Sequence, residues 1–270
     1  MFTAHAQPAA EFYKGKTISL QVGFGTGGED DLWARAISRH IGNHIPGKPT
    51  MVVQHMPGSG GLLVANRLYN AAAKDGTVVG MINRGIPFEP LLGGQGTKFD
   101  ALKFHYVGSP GRDTTVCAAR KDSEVQTLQD LYTKELTVGG TGSGADTAIY
   151  PQFLSALLGM KFKLVEGYGS SQGVLLAMER GEVQGICQSL SSLRGSRPEW
   201  FASGKLKVLF NTERHLVPGL NAPSVFEFAK TEEQRRILSL YTSSVEFGRP
   251  IVAPPNVPKE RVAALRKALA

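Results

Sequence analysis

Long hydrophobic runs are missing from this chain. No stretch approaches the roughly 18 apolar residues a membrane span needs, so the sequence offers no bilayer-crossing helix. Cysteine is scarce: only Cys117 and Cys187 occur, and neither belongs to a C-x-x-C or Cys/His cluster, which leaves a metal-ligand set without support. Each lies in an apolar stretch of strand character, 115–119 and 185–188. A bridge between them in an oxidising compartment and two separate buried thiols both remain open. Six histidines are spread along the chain. His40 and His44 stand four apart on one expected helix, but with no further ligand nearby they read as solvated surface residues rather than a metal site. There is no G-x-S-x-G elbow of a serine hydrolase, no repeat and no heptad pattern. The excess of positive charge is modest, +7 from 30 Lys and Arg against 23 Asp and Glu. Its longest runs are the pairs Arg120-Lys121, Arg235-Arg236 and Arg266-Lys267. A nucleic-acid interface gathers its charge on one element or face, so that partner is excluded. A mildly basic surface favours encounter with anionic solutes.

What the chain has in abundance is glycine, 32 of 270 residues, and its placement is the main signal. An apolar strand, Thr17-Ile18-Ser19-Leu20-Gln21-Val22, runs into Gly23-Phe24-Gly25-Thr26-Gly27-Gly28 and then into a helix opened by Glu29-Asp30-Asp31. The construction recurs at Leu136-Thr137-Val138, with Gly139-Gly140-Thr141-Gly142-Ser143-Gly144 and Asp146 at the start of the next helix. Such loops aim unpaired backbone N–H groups, backed by a helix dipole, at an anion. Two of them point to two lobes, each offering half of a site for a negatively charged small molecule.

Strands and helices alternate, the pattern of an α/β protein with helices on both faces of mainly parallel sheets. Helices are expected over 31–43, 63–69, 127–132, 146–158, 172–180 and 231–240, with a further helix starting at Pro258. Strands are expected over 51–54, 78–82, 116–119, 162–165, 185–188 and 206–210. The Gly- and Pro-rich stretch 83–110 is the expected passage out of the first lobe. The domain reading is 11–109 plus 223–270 for the first lobe and 110–222 for the second, with the chain crossing back through the 231–240 helix. At the N-terminus, Ala4-His5-Ala6 before Gln7-Pro8-Ala9-Ala10 has the small-x-small form of a secretory cleavage site, without the charged and apolar regions that precede one.

An ordered set of motifs covers residues 12 to 268: Phe12-Tyr13-x-Gly15-Lys16-Thr17-Ile18, Gly27-Gly28-x-x-Asp31-x-x-Ala34-Arg35, Val53-x-x-Met56-Pro57-Gly58-Ser59-Gly60-Gly61 and Lys74-Asp75-Gly76-Thr77. Later come Gly142-Ser143-Gly144, Gly167-Tyr168-Gly169, Gly181-Glu182-Val183 and Ala222-Pro223-Ser224-Val225-x-Glu227. In this order and spacing the chain resembles the Bug-type (TctC-like) solute receptors of tripartite tricarboxylate transporters. The resemblance implies a two-lobed, type II periplasmic-binding-protein clamshell with no chemistry and no cofactor of its own. It implies a periplasmic monomer, exported by a signal peptide, that captures a small carboxylate in the interlobe cleft for membrane permease subunits. The implied ligand-binding set is Thr26, Gly27, Gly28 and Asp31 in the first lobe; Arg84, at the end of a predicted strand where the cleft is expected, is a separate candidate to pair with a ligand carboxylate, with a surface arginine as the alternative. In the second lobe it is Gly142, Ser143 and Gly144 with Tyr168, Ser170 and Ser171 nearby; Thr141 and Asp146 of the same loop and helix start, and Ser189 and Arg194 after a predicted strand, are further candidates read from the sequence. Asp31 is expected to cap its own helix and orient the loop.

The chain departs from the family at Glu29 and Asp30, where Gly and Thr are more usual; two carboxylates there would repel a second acid group on the ligand unless they point away. The family also usually continues past Ala270, so closing elements of the first lobe are expected beyond it. Two rival readings have discriminating features. The first loop matches G-x-G-x-x-G after a strand, the dinucleotide fingerprint, but the second strand ends Val53-Gln54-His55 with no carboxylate for a ribose. A ligand-sensing accessory to a membrane sensor kinase would share fold and cleft, so sequence does not separate it from a transport receptor.

Overall fold

The computed structural model describes residues 7–91, 96–215 and 217–270; the Ala4-His5-Ala6 segment read as an export site lies outside them. In chain order the elements are α1 (Ala9–Tyr13), β1 (Thr17–Val22), α2 (Glu29–His40), β2 (Thr50–His55), α3 (Leu62–Asn70), β3 (Val78–Met81) and β4 (His105–Gly108). There follow β5 (Thr115–Arg120), β6 (Leu136–Gly139), α4 (Asp146–Leu158), β7 (Phe162–Val165), α5 (Ser171–Arg180), β8 (Gly185–Ser189), α6 (Leu190–Ser196), α7 (Pro198–Ala202), β9 (Leu206–Asn211) and α8 (Glu232–Thr242). The chain ends with β10 (Ile251–Ala253) and α9 (Lys259–Leu269). The expected helix over 127–132 is only a short 3-10 turn, Gln129–Tyr132.

The chain divides into two compact units, one holding residues up to 111 and from 248 onward, the other 112–247. The first unit is a five-stranded sheet in the order β2-β1-β3-β10-β4. β1 alternates across the sheet, sending Ile18, Leu20 and Val22 into a core closed by Ala34, Ile41, Val262 and Leu265 from the α2 and α9 side. Leu62, Ala65 and Leu68 of α3 cover the other face with Ile82, Ile86 and Phe104. The second unit repeats the plan with the order β7-β6-β8-β5-β9. Its two faces hold a core of Val138, Tyr150, Leu154 and Phe210 and another of Val116, Val174, Leu193 and Trp200.

Both sheets are mixed rather than mainly parallel. In the first, β2-β1 and β1-β3 are parallel while β10 runs antiparallel to β3 and β4. In the second, β7-β6 and β6-β8 are parallel while β5 runs antiparallel to β8 and β9. The parallel members are those joined by βα crossovers. The strands by which the chain enters the second unit (β5) and returns to the first (β10) are the antiparallel ones.

The return to the first unit falls at 248, which corrects the expected boundary at 223. Residues 223–247 stay with the second unit because their apolar side chains complete its core: Val225, Ala229 and Leu238 are buried against Tyr150 and Leu154. Tyr241 of α8 stacks on Phe153 at 4.0 Å and meets Tyr150 edge-on at 5.9 Å. Gln234 Nε2 donates to the Leu157 carbonyl at 3.0 Å. An amphipathic helix carries no mark of which lobe will bury its face, so the expectation went to the wrong one.

Cys117 and Cys187 form a disulfide, their Cα atoms 4.0 Å apart, on directly opposed positions of β5 and β8. The pairing the sequence left open is thus settled by register.

Candidate ligand-binding site

In each sheet the three parallel strands share one carboxyl end, the place where α/β folds gather ligand loops. In the first unit that end carries 23–28 after β1, 56–61 after β2 and 82–88 after β3. The first two loops meet backbone to backbone: a Cβ on Gly23 would stand 2.5 Å from the Gly61 Cα. Glycine at 23 is therefore a condition for bringing the loops together.

Asp31, only 4% exposed, organises the first loop from within. Its Oδ2 accepts from the Gly27 N–H at 2.8 Å, and its Oδ1 accepts from Arg35 Nε at 2.7 Å. His55 reaches over from β2, with Nε2 2.9 Å from the same Oδ1 and Nδ1 2.9 Å from the Phe24 carbonyl. Asp31 thus holds the loop, and the Gly27 amide is already engaged by it. Thr26 is exposed and Gly28, the residue before α2, is buried.

Glu29 pairs with Arg249, whose guanidinium lies 4.9 Å from the Trp33 ring centre. Arg249 is 4% exposed and its own N–H donates to Ser109 Oγ at 2.8 Å. The carboxylate that departs from the family pattern is neutralised inside its own unit. Asp30 has a partner of its own. Arg84, expected as a ligand cation, is only 5% exposed and likewise already engaged. In the turn that presents it, the Asn83 side-chain oxygen accepts from the Gly85 N–H at 2.8 Å.

In the second unit the same sheet end carries 140–145 after β6, 166–170 after β7 and the start of α6 after β8. The antiparallel β5 and β9 bring Thr115 and Asn211 to it. Thr141 is fixed to Thr147, its N–H donating to Thr147 Oγ1 at 2.9 Å and its hydroxyl lying 2.9 Å from the same oxygen. The Gly142 carbonyl accepts from Ala145 N–H at 3.0 Å. Between these two anchors, the N–H groups of Ser143 and Gly144 meet no acceptor among the described residues. Ser143 is exposed and Gly144 is buried, and α4 begins two residues later with no side-chain cap. An uncapped N-terminus with open amides is a ready acceptor site for an anion.

The remaining second-unit residues hold this frame. Asp146, buried, accepts from Thr115 Oγ1 at 3.5 Å. Ser170 caps α5 by accepting from Gly173 N–H at 3.4 Å, and Ser171 opens that helix half-buried. Tyr168 packs against the Val174 and Leu175 core, its N–H donating to the Gly140 carbonyl at 3.3 Å. Ser189, 1% exposed, caps α6 by accepting from Ser192 N–H at 3.2 Å. Arg194 donates to the Gly219 carbonyl at 3.0 Å and lies over Phe201, a structural engagement. Sequence reasoning missed the Glu29–Arg249 pair and His55. Neither has a local signal, since Arg249 is 220 positions from its partner and His55 acts from the next strand.

Several motifs lie away from this end of the sheets. Phe12-Tyr13 and Asp75-Gly76-Thr77 meet at the amino ends of β1 and β3. There the Tyr13 hydroxyl donates to the Gly76 carbonyl at 3.2 Å, and Asp75 Oδ1 accepts from the Thr77 N–H at 2.9 Å. Arg261 donates to the Asp75 carbonyl at 2.8 Å with its guanidinium 3.4 Å from the Phe12 ring centre. Ser224 and Glu227 form a reciprocal capping box. These motifs build the fold.

No family model matches the sequence, and no curated protein is similar to it at a significant level. Solved structures are. BugD, a periplasmic binding protein, is 21% identical, with 95% of this chain and 82% of that one covered at a TM-score of 0.71. MatC from Rhodopseudomonas palustris, solved with bound malate, is 20% identical over 94% of this chain and 83% of its own, at 0.74. Rpa4515 of R. palustris, solved with adipate, is 19% identical over 94% and 82%, at 0.72. No described helix is long and apolar enough to cross a membrane. This chain has the fold of the Bug-type periplasmic solute-binding proteins.

Proposed function

We propose that this chain is an extracytoplasmic solute receptor of the Bug type. It captures a short carboxylic acid and delivers it to the permease of a tripartite tricarboxylate-type transporter. The observation that carries the reading is the pair of open amides at Ser143 and Gly144, set before the uncapped α4, in a fold whose solved examples hold malate and adipate. A ligand carboxylate accepts from these two N–H groups and from the Ser143 hydroxyl, and the α4 dipole adds to the attraction. The donors stand fixed by the Thr141–Thr147 and Gly142–Ala145 bonds before the ligand arrives, so little ordering cost falls on binding. In the first unit the Glu29 carboxylate is paired with Arg249, which offsets its charge at the start of α2. A disulfide between β5 and β8 suits an oxidising compartment outside the cytoplasm.

The test is a thermal-shift panel of C4 to C6 dicarboxylates, tricarboxylates and aromatic acids, run beside NAD and NADP. An acid present at about 100 times its dissociation constant raises stability by about 2.7 kcal/mol. The expected result is a shift with one class of acid and none with nucleotides. A shift with nucleotides alone would overturn the receptor reading.

A further inference from the structure

Far from the ligand loops, at the opposite end of the second sheet, β5 ends and β9 begins beside a groove of about 700 Å³. It is lined by Arg120, Lys121, Asp122, Glu179 and Lys205, with the buried Met178 and Trp200 behind them. The charges on this rim are unequal in their satisfaction. Arg120 is fully engaged: Nε donates to Asp122 Oδ1 at 2.8 Å, Nη2 to Oδ2 at 2.5 Å, and Nη1 to the Met178 carbonyl at 2.6 Å. Glu179, also at the groove, is paired with Arg197 at 2.9 Å.

Lys121 and Lys205 are different. Both are exposed, and neither has a carboxylate within ion-pair distance among the described residues. They occupy the pair just beyond Arg120↔Leu206 in the antiparallel register, joined by a hydrogen bond from Lys121 N–H to the Lys205 carbonyl at 2.8 Å. Like charges directly opposite each other on neighbouring strands destabilise a sheet. This sheet end therefore holds two facing cations that no carboxylate among the described residues pairs.

We infer that this groove docks an acidic segment of a partner protein, with its carboxylates between Lys121 and Lys205. Charge complementarity selects the occupant: the neutralised arginines and acids leave the two lysines as the groove's net charge. The groove is at the amino end of β9, while the candidate ligand loops follow the carboxyl ends of β6, β7 and β8. A docked partner and a bound solute therefore do not compete for residues. The inference stands independently of the solute reading.

The experiment uses the full chain and a dye-labelled peptide alternating glutamate and leucine, followed by fluorescence anisotropy. Its controls are the same peptide with glutamine for glutamate and free glutarate as competitor. Saturable binding of the acidic peptide is expected, lost with the glutamine peptide and weakened about tenfold in Lys121→Gln/Lys205→Gln. A Lys163→Gln variant, changing an exposed lysine on β7, is expected to bind as the parent does. The inference is overturned by any of three outcomes: no binding of the acidic peptide, equal binding by the double variant, or glutarate displacing the peptide as effectively as unlabelled peptide does. The last would make the groove a small-acid site. Both lysines are exposed, so the variants keep the fold, and their unchanged thermal transition confirms it.

Discussion

Ser143 differs from its neighbours in having nothing to do within the fold. Thr141 is tied to Thr147, Asp146 to Thr115, and Ser170 and Ser189 cap helices, so substitutions there would confound stability with binding. Ser143→Ala removes one hydroxyl from an exposed position. It is expected to leave stability within about 0.5 kcal/mol of the parent and to weaken acid binding by roughly 10- to 100-fold, the worth of one hydrogen bond to a charged group. Calorimetric titration measures the second quantity; unchanged affinity would take the Ser143 hydroxyl out of the site. Glu29 calls for a pair of changes. Arg249→Met strands the Glu29 carboxylate beside the first loop, and breaking such a largely buried pair costs about 3 kcal/mol. Adding Glu29→Gln is expected to recover much of that loss and to restore acid affinity along with it. Denaturant unfolding and titration of the two single variants and the double variant check this; strictly additive effects would show that the pair is not coupled. Nothing local to Glu29 announces its partner. The sequence therefore read it as a source of repulsion, and only the long-range packing of the returning chain shows it neutralised.

At the scale of elements, legibility followed punctuation. α4 and β7 match the expected 146–158 and 162–165 residue for residue, because glycines bracket α4 and β7 runs into Glu166-Gly167. β10, three residues between Pro250 and Pro254, and β4, within a Gly- and Pro-rich stretch, are too short to show a period of two, and neither was foreseen. α1 is likewise only five residues, yet it anchors a knot of elements. Tyr13 at its end is fully buried, and a Cβ on Gly76 would stand 2.6 Å from its hydroxyl, so the turn before β3 and the tyrosine fit only with glycine there. Burial, opposed by the Arg261 charge and aided by Asp75, pushes the Tyr13 phenol up to about 12. Below pH 10 the phenol is protonated in folded and unfolded chains alike, and the full stability is present. Above pH 10 the unfolded chain releases the proton while the folded chain retains it until about pH 12. Stability is therefore expected to fall across that window by on the order of 2 kcal/mol. Tyr13→Phe should be less stable at neutral pH, for want of the bond to Gly76, yet show a flatter alkaline limb. A limb of unchanged slope in the variant would assign the alkaline loss to other groups.

For the whole molecule, the two-unit plan was legible because the strand–glycine loop–helix construction occurs twice, and the point of return was not, because 223–247 is amphipathic in a way either unit would accept. The disulfide exposes the same limit: two cysteines in strands can be read from sequence, but their opposition in β5 and β8 comes from an antiparallel entry that no local pattern encodes. That entry has an energetic consequence confined to one unit. The bridge joins positions 70 residues apart, all within 112–247, and closing a loop of that length in the unfolded chain is worth about 4 kcal/mol in the chain-entropy account. Both cysteines are essentially inaccessible to solvent, so a reductant reaches them only when the sheet opens. Reduction under native conditions should accordingly be slow and should quicken in mild denaturant. Hydrogen exchange of the Cys117→Ser/Cys187→Ser variant is expected to show lost protection through β5, β6, β8 and β9, with β1, β2 and β3 protected as before. Two serines also add buried hydroxyls, so a Cys117→Ala/Cys187→Ala variant separates the cross-link from polarity. If both variants lose protection equally in the two units, the bridge stabilises the chain as a single cooperative body; if neither loses any, the packing of β5 between β8 and β9 holds that unit without it.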